Sequence, residues 1–308
     1  MRSGWPGKCS RRWALSEAEP IAFIGLGMMG LPMASRLVAS GFDVRGADLS
    51  EASRAAFAAA GGRAVETASE AVSGASMVVT MLPNAAIVAD VLVGSGGAAA
   101  SLPPGALVVD MSSSAPFKTR ELGDKLAKRG VGLIDAPVSG GVSRAKEGTL
   151  AIMAGGDSAA IERARPVLSA MGKSIFVTGL LGSGHAMKAL NNYVSASGLV
   201  AACEALMVGR AFGLDAETIV DVLNVSTGRN NSTETKLKPF VVSESFASGF
   251  AIGLMAKDIR TAADLADELG LPASEMSQSA ALWEQAAQML GKGADHTEIY
   301  RYLASPRQ

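Results

Sequence analysis

Two polar side chains that could take part in proton transfer lie in a long apolar stretch near the middle of the chain. Lys188 and Asn192 are four residues apart in a segment, 184–212, that contains no proline and is predicted to form one helix. Residues four apart lie on one face of a helix, so both side chains point into the same cleft. Such a lysine either extends to solvent past apolar surface or has its pKa adjusted for proton transfer. Taken alone, the lysine favours the first interpretation.

The N-terminal part of the chain changes that balance, because it contains a nucleotide-binding pattern. A short apolar strand runs into Gly25-Leu-Gly-Met-Met-Gly30, and a helix follows. Strand, GxGxxG and helix in this order are typical of dinucleotide binding. The glycines permit the turn, the approach of backbone amides to the pyrophosphate and close helix packing, while the helix N-terminus favours the phosphates. The predicted cofactor contacts are Gly25, Leu26, Gly27, Met28, Met29 and Gly30.

The second predicted strand, 42–47, ends at an acidic residue, Asp48. A carboxylate at this position binds the ribose hydroxyls of the adenosine and repels a 2′-phosphate. The next residues, Leu49 and Ser50, supply no arginine to hold such a phosphate, so the sequence predicts NAD rather than NADP. Alternatively, Asp48 caps the helix that begins near Glu51, and one residue can have both roles.

Further strands are predicted at 77–83, 106–111 and 132–137, and their carboxyl ends are where ligands bind in such sheets. Leu82 and Pro83 are predicted to contact the cofactor, and Ser113 to contact a ligand; the alternative at this turn is that Ser114 caps a helix beginning near Pro116. Consecutive amides at Ser139, Gly140 and Gly141 could bind a small carboxylate, or form a plain turn. With strands near 150–154 and 174–178, the pattern predicts a mostly parallel sheet with helices on both faces.

Composition excludes several other classes of protein. The net charge is −1, and no basic stripe marks a nucleic-acid footprint. The two cysteines form no CxxC pair, which fits a reducing cytosol, and the two histidines lack metal-ligand spacing, so no metal site is predicted. The sequence contains no run of 18 apolar residues, so no membrane span is predicted. Residues 1–19 are polar and lack a secretory core, and we expect a disordered extension or a start codon assigned too far upstream rather than a mitochondrial presequence.

After residue 183 nearly every segment is predicted to be helical. The helix 184–212 is apolar on almost every side and is expected to be buried, with another backbone packed at Gly198 and Gly209. Asp215 begins the next helix, Lys257-Asp258 opens another, 273–290 forms a third, and Asp295 to Glu298 resembles a capping box. The predicted domains are a nucleotide-binding domain at 20–182 and an all-helical substrate and dimerisation domain at 183–308.

A nicotinamide site needs a proton relay when a hydride leaves an alcohol carbon, and no histidine here is placed for that role. Lys188 is therefore predicted to take the hydroxyl proton during oxidation and to return it during reduction, while Asn192 orients the substrate. His185, one turn earlier, is interpreted as structural.

Four motifs, at 25–34, 135–141, 182–192 and 257–258, together resemble the β-hydroxyacid dehydrogenase family, which includes 3-hydroxyisobutyrate dehydrogenase, tartronate semialdehyde reductase and L-threonate dehydrogenase. The resemblance extends over about 21–303, with the motifs in family order. It implies a Rossmann-type sheet joined by a long helix to an all-helical domain, a small hydroxy-acid substrate, and a dimer or tetramer. It also implies that Lys188 is the acid/base, that Asn192 and the 139–141 amides bind substrate, and that Leu82, Pro83, Ile87, Ser113 and Lys257 lie along the cofactor.

The substrate is left open by the resemblance. Arg144 and Lys146 follow the carboxylate loop and could favour a second anionic group, or could be surface charges. The default is 3-hydroxyisobutyrate, with tartronate semialdehyde or a sugar acid such as threonate as alternatives. An imine reductase is a rival that the retained Lys188 disfavours, and a non-catalytic dinucleotide-binding module is a rival of another class.

Overall fold

The computed structural model describes residues 20–305, so the predicted extension at 1–19 lies outside the described residues. The strands are β1 (Ile21–Ile24), β2 (Val44–Ala47), β3 (Arg63–Val65), β4 (Met77–Thr80), β5 (Leu107–Asp110), β6 (Gly132–Asp135), β7 (Val138–Ser139), β8 (Leu150–Gly155) and β9 (Gly172–Gly179). Between them lie α1 (Gly30–Ala39), α2 (Glu51–Ala59), α3 (Ala68–Val72), α4 (Ala85–Val93), α5 (Pro116–Ala127), α6 (Gly141–Glu147) and α7 (Ser158–Met171).

The remainder is helical. It comprises α8 (Ser183–Phe212), α9 (Ala216–Val225), α10 (Asn231–Thr235), α11 (Ile252–Glu268), α12 (Ser274–Leu290) and α13 (Ile299–Ala304), with wide π-type turns at Leu237–Val242. The predicted α/β class, with a nucleotide-binding sheet followed by an all-helical part, is confirmed. The predicted boundaries at 20–182 and 183–308 stay predictions.

The sheet has the order β3-β2-β1-β4-β5-β6-β8-β7, and β9 pairs with β8. β1 to β6 are parallel where they pair, whereas β8 runs antiparallel to β6 and to β7. The chain leaves β1 toward β2 on one side and enters β4 on the other. Between β1 and β4 the strand order therefore reverses, which opens the crevice where such sheets bind ligands.

Alternate residues of the buried strands face two separate cores. Ile21 and Phe23 pack with α1 and α7 on one side, whereas Ala22 and Ile24 face the other side. Strands buried on both faces read as continuous apolar runs, which is why these segments were recognisable in the sequence.

The central helix α8 departs from its prediction in two respects. It is not buried all round, because Val194, Val208 and Phe212 are exposed in the single chain. Close packing at its glycines comes from side chains rather than from another backbone: Asn230 lies against Gly198 and Ile219 against Gly209. A helix can tolerate a bulky apolar surface where another surface covers it, and sequence alone does not reveal which side that is.

By length and composition α8 could cross a membrane, and it is the one helix of residues 20–305 that could. Its packing provides a different reason for its apolar character. Leu199, Cys203 and Leu206 belong to the buried core that α11 and α12 complete, with Trp283 at its centre. The helix is thus the axis around which the helical part is built.

Candidate active site

The start of α8 is held against the sheet by the buried carboxylate of Asp135, at the end of β6. Its two oxygens accept hydrogen bonds from the backbone N–H groups of Gly182 and His185, both at 2.7 Å. These are unpaired donors at a helix N-terminus, where negative charge is favoured. Gly184 permits the close approach, because a Cβ there would collide with the carbonyl oxygen of Met153. The position of Lys188, one turn further on, is fixed by this junction.

The ring of His185 is buried between two parts of the sheet edge. Its Nε2 lies 3.1 Å from the carbonyl oxygen of Ser112, which can only accept, so Nε2 carries a proton. Its Nδ1 lies 2.8 Å from the hydroxyl of Thr119. With both ring nitrogens occupied inside the protein, His185 has the structural position predicted for it.

Lys188 and Asn192 lie on one face of α8, as their spacing predicted. The Lys188 side chain is half-buried and forms no hydrogen bond with residues 20–305, which leaves its amine available to a substrate. Burial lowers the pKa of Lys188; the Asp258 carboxylate acts in the opposite direction, and the Lys257 ammonium in the same direction. The lowered pKa increases the fraction of neutral amine, which is the form that accepts a proton.

Asp258 is the residue that the sequence argument missed. It is buried on α11, and its two oxygens accept hydrogen bonds from the Asn192 amide, at 2.6 Å, and from the Ser113 hydroxyl, at 2.7 Å. It thereby links α8 to the end of β5. The prediction that Lys257-Asp258 opens a helix is wrong, since α11 begins at Ile252. That earlier start places both residues in the second turn, facing the sheet, rather than at an exposed end.

Lys257 bridges the helical part to the loops that follow β4 and β5. Its ammonium donates to the carbonyl oxygens of Ser113, at 2.7 Å, and Pro83, at 3.2 Å, and lies 3.2 Å from Asp258. Leu82 is held by its N–H to the Ser112 hydroxyl. Leu82, Pro83, Ser113 and Lys257, all predicted to lie along the cofactor, are therefore brought together, and Ile87 follows in the first turn of α4 with its side chain partly exposed.

Ser114 does not cap the following helix, so that alternative is wrong. α5 begins at Pro116, as expected, but its N-cap residue is Ala115. The Ser114 hydroxyl instead donates to the buried carboxylate of Asp110, which is already anchored at the end of β5.

The glycine-rich loop between β1 and α1 has the geometry that a dinucleotide requires. Gly25 has φ +99°, and a Cβ there would collide with the Met81 carbonyl, while a Cβ at Gly30 would collide with the backbone of Gly25. Gly27 has open space around it, and Met28 projects into solvent. Backbone amides are thus presented, without side-chain obstruction, in the crevice between β1 and β4.

Asp48 lies beside this loop and accepts hydrogen bonds from the N–H groups of Leu26, at 2.6 Å, and Ser50, at 2.8 Å. It does not cap α2; Ser50 does, through Ser53. A second residue was missed here: Arg54 donates to the carbonyl oxygens of Asp48 and Leu49. An arginine is therefore present beside Asp48, the residue predicted to bind the ribose, although the residues directly after Asp48 contain none.

Ser139 closes the short strand β7, and Gly140 and Gly141 lead into α6 with φ +136° and +68°. These left-handed conformations require glycine and turn consecutive amides toward one side. The aliphatic part of Arg144 packs over Gly140, and both Arg144 and Lys146 are exposed. Whether the three amides bind a carboxylate stays a prediction.

Within residues 20–305 no group of three or more His, Cys, Asp or Glu side chains could hold a metal ion. The polar groups gathered around Lys188 are hydrogen-bonded to one another and to backbone, and they can position a substrate and move a proton.

Comparison with known families agrees with this geometry. Residues 20–179 match the NAD-binding domain of 6-phosphogluconate dehydrogenase, and residues 182–303 match a domain described as the NAD-binding domain of NADP-dependent 3-hydroxyisobutyrate dehydrogenase. The expected NAD cofactor is thus confirmed, while preference over NADP is a separate question.

Characterised relatives cover most of this chain. A 2-(hydroxymethyl)glutarate dehydrogenase from Eubacterium barkeri is 38% identical over 270 residues, which is 88% of this chain and 90% of the relative. An NAD-dependent L-serine dehydrogenase from Pseudomonas aeruginosa is 38% identical over 254 residues, 80% of this chain and 85% of the relative. The structure of Mycobacterium tuberculosis 3-hydroxyisobutyrate dehydrogenase with L-serine superposes with a TM-score of 0.86 at 34% identity, covering 93% of this chain and 99% of that one.

Proposed function

We propose that this chain, which belongs to the β-hydroxyacid dehydrogenase family, oxidises the 3-hydroxyl of a small carboxylic acid to an aldehyde with NAD, or catalyses the reverse reduction. Family membership makes it an NAD(P)-dependent oxidoreductase that acts on CH–OH groups of small hydroxy acids. The observation that carries the proposal is the arrangement of Lys188 and Asn192 beside Asp258, where α8 and α11 meet the carboxyl ends of the strands.

When bound, NAD would supply the acceptor for the hydride of the alcohol carbon. The neutral amine of Lys188 takes the hydroxyl proton, and burial favours this form by lowering the pKa of Lys188. Asp258 holds the amide of Asn192 in one orientation, so that Asn192 can fix the substrate oxygen. In reduction, the Lys188 ammonium returns the proton to the carbonyl oxygen.

Substrate and cofactor are assigned to the two sides of this centre. We assign the substrate carboxylate to Ser139, Gly140, Gly141 and Ser113. We assign the cofactor to Gly25, Leu26, Gly27, Met28, Met29, Gly30, Asp48, Leu82, Pro83, Ile87, Ser113 and Lys257. The preference for NAD over NADP rests on Asp48, whose negative charge opposes a 2′-phosphate.

The substrate candidates share an oxygen function on the carbon β to a carboxylate, which is a hydroxyl or, in tartronate semialdehyde, the aldehyde that the reverse reaction reduces. 3-Hydroxyisobutyrate is the default, tartronate semialdehyde and threonate are alternatives, and the relatives add L-serine and 2-(hydroxymethyl)glutarate. Imine reductases of known structure share the fold at 18% identity, and this likeness concerns the fold rather than the activity. The retained Lys188 favours an alcohol substrate over an imine.

A homodimer or homotetramer in the cytosol completes the proposal. The exposed apolar side chains of Val194, Val208 and Phe212 on α8 support association of copies, because a monomer would leave this surface in water. The buried free thiol of Cys203 is compatible with a reducing compartment.

The experiment tests a panel of hydroxy acids with the purified chain and either NAD or NADP. Formation of NADH or NADPH is measured at 340 nm. We expect at least one β-hydroxy acid to turn over faster with NAD than with NADP. If none turns over while NADH still binds, the chain is a dinucleotide-binding module and the proposed activity is wrong.

A further inference from the structure

A second lysine lies beside the catalytic face of α8. Lys236 follows α10 directly, and its ammonium donates to the hydroxyl of Ser195 at 3.3 Å. The side chain is half-buried, so its charge is removed from bulk water without being sealed inside the protein. Nothing in the proposed hydride and proton transfer uses this residue.

The hydrogen bond to Ser195 places the Lys236 ammonium on the same strip of helix as the reacting groups. Ser195 is three residues beyond Asn192 and seven beyond Lys188 on the continuous helix α8. At 3.6 residues per turn, positions i, i+4 and i+7 share one face. Seven residues correspond to a rise of about 10 Å. Lys236 therefore lies at the helical-domain end of the face whose other end carries Lys188.

The segment that carries Lys236 is fastened to this helix. The Ser232 hydroxyl donates to the carbonyl oxygen of Ser195 at 3.3 Å, and Asn230 donates to that of Gly198 at 3.5 Å. Asn230 also caps α10 in a reciprocal capping box with Thr233. The backbone leading to Lys236 is thus held in place, so the ammonium is positioned rather than free to swing away.

The Lys236 ammonium has no direct ion-pair partner within residues 20–305. No carboxylate of residues 20–305 forms an ion pair with it. Asp295, whose carboxylate opposes the effect of burial on the pKa of Lys236, has its oxygens occupied by Ser248, Gly249 and Thr297. Cys203 supplies no negative charge at neutral pH, because burial raises the pKa of its thiol to about 12.

A half-buried ammonium without an ion pair is unfavourable for the stability of the folded protein. Burial lowers the pKa of Lys236 to about 8, with the Asp295 carboxylate acting in the opposite direction. At neutral pH most molecules still carry the charge. The three N–H donors of the ammonium then have one neutral acceptor within residues 20–305, the Ser195 hydroxyl. Partly burying a charge without a partner is unfavourable, and an anion that enters with the substrate would remove the penalty.

We propose that Lys236 binds a second anionic group of the substrate, so that this chain selects β-hydroxy acids with a further carboxylate over monocarboxylates. This proposal rests on the proposed function. In a five-carbon diacid with the reacting CH₂OH on carbon 2, the hydroxyl and the far carboxylate are about 5–7 Å apart. With a hydrogen bond of about 3 Å at each end, such a diacid is long enough to extend along the helix face from Lys188 to Ser195, where the Lys236 ammonium lies.

The test compares substrates that differ only in the group directed toward Lys236. 3-Hydroxyisobutyrate carries a methyl there, 2-(hydroxymethyl)glutarate carries CH₂CH₂COO⁻, and 2-(hydroxymethyl)pentanoate carries an uncharged propyl chain. The variant is Lys236→Met, which keeps the length of the side chain and removes the charge. The matched control is Lys238→Met, two residues away, whose ammonium pairs with Glu217 and Asp221 on the surface.

We expect the wild-type enzyme to prefer the diacid in kcat/KM. Lys236→Met should lower kcat/KM for the diacid about 10- to 100-fold, mainly through KM, as for loss of a hydrogen bond to a charged group. For the two monoacids, Lys236→Met should change kcat/KM less than about threefold. The control Lys238→Met should leave kcat/KM unchanged for all three substrates. If Lys236 had a structural role instead, Lys236→Met would lower kcat/KM for all three substrates together, and that result would overturn the proposal.

Two further outcomes are decisive. If Arg144→Met, rather than Lys236→Met, removes the diacid preference, the second carboxylate lies at the 139–141 loop and the proposal is wrong. If no hydroxy acid turns over, the proposed function fails, and calorimetric titration of the NADH-loaded chain with glutarate still tests the site. Binding that Lys236→Met weakens tenfold or more supports the anion site; binding that is absent, or equal in both proteins, refutes it.

Discussion

The substitution Asp258→Asn examines the hydrogen-bonded centre with the least change in shape. In the native protein both carboxylate oxygens accept, one from the Asn192 amide at 2.6 Å and the other from the Ser113 hydroxyl at 2.7 Å. An asparagine offers one oxygen and one NH₂, so its NH₂ must face either the NH₂ of Asn192 or the Lys257 ammonium, and one charge-assisted hydrogen bond is lost. The loss of one hydrogen bond to a charged acceptor corresponds to about 1.5–3 kcal/mol. Since each 1.36 kcal/mol is a factor of ten, kcat/KM should fall about 10- to 150-fold.

The same substitution changes the electrostatics of Lys188 in a predictable direction. The Asp258 carboxylate raises the pKa of Lys188 against the effect of burial. Without that negative charge the pKa of Lys188 falls further, so the neutral amine persists to lower pH. Oxidation, which needs the amine, should reach its plateau at a lower pH than in the wild type. Reduction, which needs the ammonium, should lose more activity than oxidation when both are measured at the same neutral pH.

The assay is kcat/KM as a function of pH in both directions, followed at 340 nm. Asp264→Asn, on the same helix, is the control, because Asp264 is exposed and lies 3.9 Å from Arg260 in a surface pair of little energetic weight. Circular dichroism and NADH binding establish that both variants are folded. A pH profile of Asp258→Asn that keeps the wild-type midpoint, or an activity loss matched by Asp264→Asn, would refute the reasoning.

Two further predictions concern the junction and the cofactor. Gly184→Ala places a Cβ against the Met153 carbonyl and should lower the free energy of unfolding by about 1–3 kcal/mol. In Gly198→Ala on the same helix the nearest atom is 3.4 Å away, so stability should stay unchanged or rise by up to about 1 kcal/mol. Urea denaturation measures both, and equal effects would contradict the packing argument. Asp48→Ala should raise the NADP to NAD ratio of kcat/KM about tenfold, or about 1.4 kcal/mol, and Arg54→Gln in that background should reverse the gain. An unchanged ratio would mean that Asp48 does not select the cofactor.

Much of the nucleotide-binding part could be predicted because its signals are local. Gly25, Gly27 and Gly30 lie within six residues, so their spacing is visible in the sequence, although the atom that excludes a Cβ at Gly25 is the carbonyl oxygen of Met81, directly after β4 across the crevice. The strands were recognisable because both of their faces are buried, so the apolar runs are continuous. The helix caps at Asp215 and Asp295 were also predicted, since a capping side chain binds backbone only two or three residues away.

Contacts between distant segments could not be predicted from spacing. Asp258 hydrogen-bonds Ser113 across 145 positions, and Asp135 binds His185 across 50 positions. No periodicity carries such information, so Asp258 received no role. Arg54 was missed for a related reason. It does not follow Asp48 directly in the sequence, but one turn of α2 brings it back to the strand end. The exposed apolar side of α8 was missed because composition does not distinguish burial within one chain from burial between chains.

The central claim is that the amine of Lys188 exchanges a proton with the substrate hydroxyl, and chemical rescue of Lys188→Ala tests it most directly. General acid/base catalysis contributes about 10²- to 10⁴-fold, so the variant should lose that factor in kcat/KM while still binding NADH. Added ethylamine should restore NADH formation in proportion to its free-base concentration, and it should have no such effect on the wild type. Near wild-type turnover by Lys188→Ala without added amine would contradict the account.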